Sequence, residues 1–104
     1  MEHLHYQFKG GTRTLQRAAD VVGVVGSGNL EVLIESAAMD GGCSIDITTA
    51  AVGFGAIWEA VMIDFQARWQ LADTRIAIND MGATPAVVSL RLDQAVETML
   101  ERRP

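Results

Sequence analysis

The chain has 104 residues, 49% hydrophobic and 20% charged, which suffices for one domain, 1–104, with a core that needs no metal or disulfide staples. Its formal net charge is -5, from 13 acidic and 8 basic side chains; phosphate backbones repel such a balance, so nucleic acid is excluded as a partner class. A single cysteine, Cys43, the lack of a charged-then-apolar leader at Met1-Glu2-His3-Leu4-His5, and the lack of any apolar run near the ~20 residues of a membrane helix point to a cytoplasmic, non-membrane protein.

In chain order, Leu4, Tyr6 and Phe8 alternate with polar residues and predict a first strand over 3–8. Gly10-Gly11-Thr12 begins an irregular connection. Val21-Val22-Gly23-Val24-Val25 suits a pleated surface, with Gly23 marking a bulge or a close approach. Gly26-Ser27-Gly28-Asn29 reads as a tight turn, since glycine and asparagine tolerate positive φ. Leu30, Val32 and Ile34 then alternate with Glu31, Leu33 and Glu35, so a strand returns beside the previous one and the hairpin tip holds Ser27.

Met39-Asp40-Gly41-Gly42 is a further turn, and residues 43–49 alternate with Cys43, Ile45 and Ile47 on one face. A helix is predicted from near Gly53, with Phe54, Ile57, Trp58, Val61, Met62, Phe65 and Trp69 as its apolar stripe and Glu59, Gln66 and Arg68 largely opposite. A short strand follows over 73–79. Thr84 and Pro85 then form a strong helix start, as cap and first helical residue. Val88, Leu92, Ala95, Val96 and Met99 stripe that helix, and Arg102 and Arg103 favour its dipole. The expected fold is α+β: a two-layer sandwich, with a mostly antiparallel sheet of about five strands and two amphipathic helices on one face.

Catalytic constellations are sparse. His3 and His5 share one face of the first strand but lack the further spaced ligands of a metal site, so they read as surface histidines. Cys43 opens an apolar strand and reads as core filling. The carboxylates Asp20, Glu31, Glu35, Asp46, Asp64, Asp80 and Asp93 fall mostly on solvent faces, with Asp80 a turn former. The aromatic stripe Phe54, Trp58, Phe65, Trp69 has the spacing of a buried helix face. The glycine-rich run 23–28 is followed by a strand, not a helix, and has no Lys-Ser/Thr pair, so dinucleotide and triphosphate loops are excluded. What remains is Ser27 between two glycines, with no base nearby in sequence to make it a nucleophile. From spacing alone it is either an acceptor for a covalent group or ordinary turn chemistry.

Val25-Gly26-Ser27-Gly28-Asn29-Leu30-Glu31-Val32-Leu33 resembles the Gly/Ala-Ser-Gly-Asp-Leu-Glu-Val-Leu signature of the malonate decarboxylase acyl-carrier (delta) subunit family. The similarity continues in Ile47-Thr48-Thr49, Trp58, Asp80-Met81-Gly82-Ala83-Thr84-Pro85, Val88, Leu90-Arg91-Leu92 and Gln94-Ala95, in family order. Asn29 stands where the family's aspartate is expected; it keeps the turn chemistry and removes a carboxylate from the attachment loop formed with Gly26 and Gly28.

The resemblance implies a non-catalytic carrier. Ser27 would bear phosphoribosyl-dephospho-coenzyme A through a phosphodiester, its terminal thiol holding acetyl or malonyl thioesters between the transferase (alpha) and decarboxylase (beta, gamma) subunits. A prosthetic-group transferase would load it, and no metal is implied. Glu31 and Glu35, on one face of the strand after the turn, are candidates for docking partner subunits. The serine is expected on a hairpin, unlike the helix-start Asp-Ser-Leu motif of four-helix carriers, which the chain lacks. Two other readings stay open: a non-covalent interaction or small-ligand-binding subunit with Ser27 unmodified, and a citrate-lyase-type carrier, which the second sequence block disfavours.

Overall fold

The computed structural model describes residues 1–14, 21–27 and 30–101. Its main sheet contains β1 (Glu2–Phe8), β3 (Val21–Ser27), β4 (Leu30–Ser36), β5 (Cys43–Thr49) and β7 (Thr74–Asp80), in the order β1-β5-β7-β4-β3. Two short strands, β2 (Arg13–Thr14) and β6 (Leu71–Ala72), pair in parallel as a separate ribbon. Helix α1 (Gly55–Trp69) connects β5 to the β6–β7 segment, and α2 (Pro85–Glu101) ends the described chain. Among the described residues, no helix is long and apolar enough to cross a membrane.

The expected α+β class and mostly antiparallel five-stranded sheet are both present. β1/β5, β4/β7 and β3/β4 are antiparallel, while β5 and β7 run parallel. A parallel pair cannot be joined by a tight turn, and α1 supplies the crossover. The period-2 pattern does its work in β4, where Leu30, Val32 and Ile34 are buried, and in β7, where Ile76 and Ile78 are. With Ile45 and Ile47 of β5 they form the sheet's contribution to the core. Leu4, Tyr6 and Phe8 of β1 pack on it half-buried, as the alternation predicts.

Helix α1 covers this layer with Trp58, Met62 and Phe65, each worth roughly 1.5–3 kcal/mol when removed from water. Helix α2 covers it with Val88, Leu92, Ala95 and Val96. Its start is built as the sequence predicts: the Thr84 hydroxyl accepts from the Val87 amide at 3.3 Å, and Pro85 is the first helical residue. Arg102 and Arg103 lie outside the described residues, as does the side chain of Met99.

Two corrections concern α1. The helix begins at Gly55, and Phe54 and Ile57 are 47% and 43% exposed instead of buried in the stripe. Gln66, expected on the solvent face, is buried, and its Nε2 donates to the Leu71 carbonyl at 2.9 Å. Helix and following strand are thereby tied across the left-handed turn at Gln70, whose φ is 48. The β2–β6 ribbon explains Gly11: a Cβ there would lie 2.1 Å from the Leu71 carbonyl oxygen, so the chains approach too closely for any side chain.

The alternation predicts a strand from residue 73; β7 begins at Thr74, and Asp73 instead organises the loop between β4 and β5. The Asp73 carboxylate accepts from the amides of Met39 and Gly41, both at 3.0 Å. Those two donors, Gly41 first, hold its pKa below the usual carboxylate value.

Candidate functional site

The ladder brings five residues into one row at one end of the main sheet. Glu2 pairs with Thr49, Thr49 with Asp80, Asp80 with Leu30, and Leu30 with Ser27. Ser27 is thus the last residue of edge strand β3, paired opposite the first residue of β4. Gly26 also lies within the strand, opposite Glu31, so β3 takes in the first half of the expected turn. A register shift between Val21 and Gly23 fits the bulge predicted at Gly23. Gly28 and Asn29 lie outside the described residues.

Asp80 anchors the row. It is 2% exposed, and its carboxylate accepts from the Thr49 hydroxyl at 2.8 Å and from the amides of Ala83 and Gly82 at 2.8 and 3.2 Å. Its carbonyl accepts from the Ala50 amide at 2.9 Å. The turn-forming role expected of Asp80 is therefore present, and a second role goes with it: the same carboxylate fastens β7 to the end of β5. The Thr49 hydroxyl accepts in turn from the Ala51 amide at 3.1 Å.

Above this row, the amino ends of α1 and α2 stand apart and leave a cleft of about 310 Å³. Ala51, Phe54, Ile57, Trp58 and Val61 line one side; Gly82, Ala83, Pro85 and Val88 line the other, with Asp80 between. The uniformly buried stripe that the spacing predicts would leave no such cleft; its seven apolar positions make a wider face than one neighbouring layer covers.

The remaining candidates are placed as follows. Glu31 and Glu35 both lie on the sheet side away from the helices. Glu31 accepts from Asn79 Nδ2 at 3.2 Å, and Glu35 pairs with Arg75 at 3.3 Å. His3 and His5 are exposed on β1; the His5 Nδ1 lies 2.6 Å from Asp46 Oδ1, and the His3 Nδ1 lies 3.1 Å from the Thr48 hydroxyl. The hydrogen bond to Asp46 raises the His5 pKa. Cys43 is fully buried, and burial pushes its thiol up to about 12, consistent with core filling. Asp64 and Asp93 both bond Arg68, and Asp93 also accepts from the Trp69 indole at 2.8 Å. Asp20 lies outside the described residues. Among the described residues no group of three or more His, Cys, Asp or Glu converges as a metal site would require.

Comparison with known proteins bears on this end of the molecule. The family model for the malonate decarboxylase delta subunit (MdcD) matches residues 17–99, which include Ser27, Asp80, all of α1 and most of α2. The malonate decarboxylase acyl carrier protein of Stenotrophomonas maltophilia (strain K279a) is 59% identical over 105 residues, covering 100% of this chain and 99% of that protein. That of Xanthomonas axonopodis pv. citri (strain 306) is 60% identical over 102 residues, covering 95% of each. A chain in the crystal structure of a Pseudomonas malonate decarboxylase hetero-tetramer in complex with malonate superposes with a TM-score of 0.77 at 37% identity, over 95% of this chain and 99% of that one. This chain therefore belongs to the malonate decarboxylase delta subunit family, the acyl carrier proteins of malonate decarboxylase.

Proposed function

We propose that the chain is the acyl-carrier subunit of a cytoplasmic malonate decarboxylase and that Ser27 is covalently modified with phosphoribosyl-dephospho-coenzyme A. The observation that carries this reading is the position of Ser27: it ends an edge strand, within the sequence block that resembles the family's signature, inside the matched span 17–99. When bound through a phosphodiester, the group supplies a thiol for acetyl and malonyl thioesters.

The chain's own residues fit such an attachment. The ladder holds Ser27 in register at the sheet's edge, where a modifying enzyme approaches without displacing a neighbouring strand. The nearest side chain described in that row with an acid–base group, Asp80, is occupied by Thr49 and two amides, so its role is to position the row. The carrier raises the local concentration of a tethered substrate and leaves the chemistry to its partners. Those partners are the transferase (alpha) and decarboxylase (beta, gamma) subunits, with a prosthetic-group transferase for loading. Glu31 and Glu35 are the proposed docking charges, on a sheet face that α1 and α2 leave open.

The test is the intact mass of the protein from its native host, with peptide mapping over 26–35. A mass increase matching the group on Ser27, absent in Ser27→Ala, is expected. Unmodified Ser27 in cells actively consuming malonate would sink the carrier reading and favour a non-covalent binding subunit. For docking, charge reversal of Glu31 and Glu35 together is expected to weaken subunit association; unchanged association removes that role.

A further inference from the structure

The reading of Ser27 as an anchor assigns no role to the cleft between the amino ends of α1 and α2. Its volume, about 310 Å³, is near the lower end for small-molecule sites, and its walls are almost wholly apolar. Phe54 and Ile57 stand on its rim at 47% and 43% exposure, and Val52 and Met81, beside it in sequence, at 69% and 58%. Apolar surface gathered around a concave site marks a place that something covers.

The ladder fixes how far this cleft lies from the anchor. Ser27 pairs with Leu30, Leu30 pairs with Asp80, and Asp80 lines the cleft. Two strand spacings separate the backbones of Ser27 and Asp80, about 10 Å. An extended dephospho-coenzyme A arm on Ser27 would exceed that distance, which puts the cleft of its own chain within the arm's span.

We propose that the cleft receives the acetyl-thioester end of the arm and turns the malonyl form away; the inference rests on Ser27 as the anchor. An acetyl thioester is small, neutral and ends in a methyl group, which the side chains of Trp58, Ala83 and Val88 match. A malonyl thioester ends in a carboxylate. Burying it strips its water, and among the described lining residues there is no cation to receive it; the one charged residue among them, Asp80, is an acid. The amino ends of both helices border the cleft with no acid in their first turns, and α1 has no side-chain cap, which favours an anion. That attraction is weaker than the desolvation it opposes, so the balance still excludes malonyl. The carrier therefore withdraws the acetyl form from water and leaves the malonyl form outside the cleft.

The experiment follows the two tryptophan indole resonances by NMR, because Trp58 lines the cleft and the Trp69 indole donates to Asp93 elsewhere. First, the full-length chain without the arm is titrated with S-acetyl- and S-malonyl-N-acetylcysteamine. Acetyl probe is expected to shift Trp58 alone, and malonyl to bind about tenfold or more weakly, given the cost of an unpaired buried carboxylate. Ala83→Leu, and independently Ala51→Leu, should fill the cleft and abolish the shift. Next, loading is confirmed by mass, and the acetylated, malonylated and free-thiol carriers are compared; only the acetylated form should move Trp58. Equal response to both acyl probes, or no response of Trp58 in either setting, overturns the cleft proposal. Failure of Ser27 to load overturns the carrier reading and with it the tethered occupant, and is read separately by mass.

Discussion

Replacing Asp80 with alanine removes the acceptor for three hydrogen bonds at the end of the sheet: one from the Thr49 hydroxyl and two from the amides of Gly82 and Ala83. The consequences differ by donor. Gly82 is exposed, so water replaces its partner there at little cost. Thr49 has no exposed surface, and its hydroxyl is left buried without an acceptor. Adding the charge-assisted bonds to the unsatisfied hydroxyl gives a loss of about 3–5 kcal/mol. That is a large part of the roughly 5–15 kcal/mol available to a domain of this size. Asp80→Asn keeps an oxygen for the two amides and turns an amide toward Thr49, whose hydroxyl already accepts from Ala51. One poor contact in place of three lost ones puts Asn at about 1–2 kcal/mol. Urea unfolding followed by far-UV circular dichroism reads both variants; the slope should be unchanged and the midpoints should separate as Ala well below Asn below wild type. A loss under about 1 kcal/mol for Asp80→Ala, or equal losses for the two variants, would falsify the claim that this carboxylate holds β5, β7 and the start of α2 together.

Three further predictions concern other parts of the fold. Gly11→Ala forces a Cβ against the Leu71 carbonyl, so it should cost about 1–3 kcal/mol; wild-type stability in denaturant would show that the β2–β6 ribbon yields freely. Because Asp46 raises the His5 pKa, the pair stabilises the fold fully below the unfolded histidine value, and this is lost as pH rises through the folded pKa. Both side chains are more than half exposed, so the effect after solvent screening is under about 0.5 kcal/mol. An NMR titration should give His5 an elevated pKa that falls in Asp46→Asn, and no change in that variant refutes the pairing. Cys43, buried with its thiol pushed up to about 12, should resist a disulfide reagent at pH 8 in native protein and react fully in denaturant; rapid stoichiometric labelling of the native state contradicts that burial.

Much of the architecture could be read from local pattern, because alternation and capping are local chemistry. Leu30-Val32-Ile34 named the inner face of β4, and Thr84-Pro85 named the first turn of α2, since each depends only on residues a few positions away. The parallel pairing of β5 with β7 depends on where a crossover helix returns the chain, and no period in either strand records it. The two-residue strands β2 and β6 are too short for any period; the trace they leave is Gly11, whose missing side chain makes room for Leu71. The candidate site divides in the same way. Ser27 is a candidate through a sequence block alone, whereas the cleft depends on which part of an apolar helix face finds a partner. Trp58 and Phe54 look alike in the α1 stripe, yet one is 6% exposed and the other 47%. Gln66 shows the converse: a polar side chain was counted toward solvent, although its amide has a carbonyl to bond inside.

Under the proposed anchoring, the row from Glu2 to Ser27 also sets where partners must sit. With Ser27 as the anchor, the arm swings from a pivot fixed by backbone pairing to Leu30, at the edge of a sheet that continues through Asp80 and Thr49. Delivery then asks no bending of the carrier itself. On that proposal, every active site it serves would open within one arm's radius of that pivot, and on the side the sheet does not block. A complex built around this subunit is therefore constrained less by the strength of its contacts than by the geometry of a compass: one fixed point, one length and a limited arc.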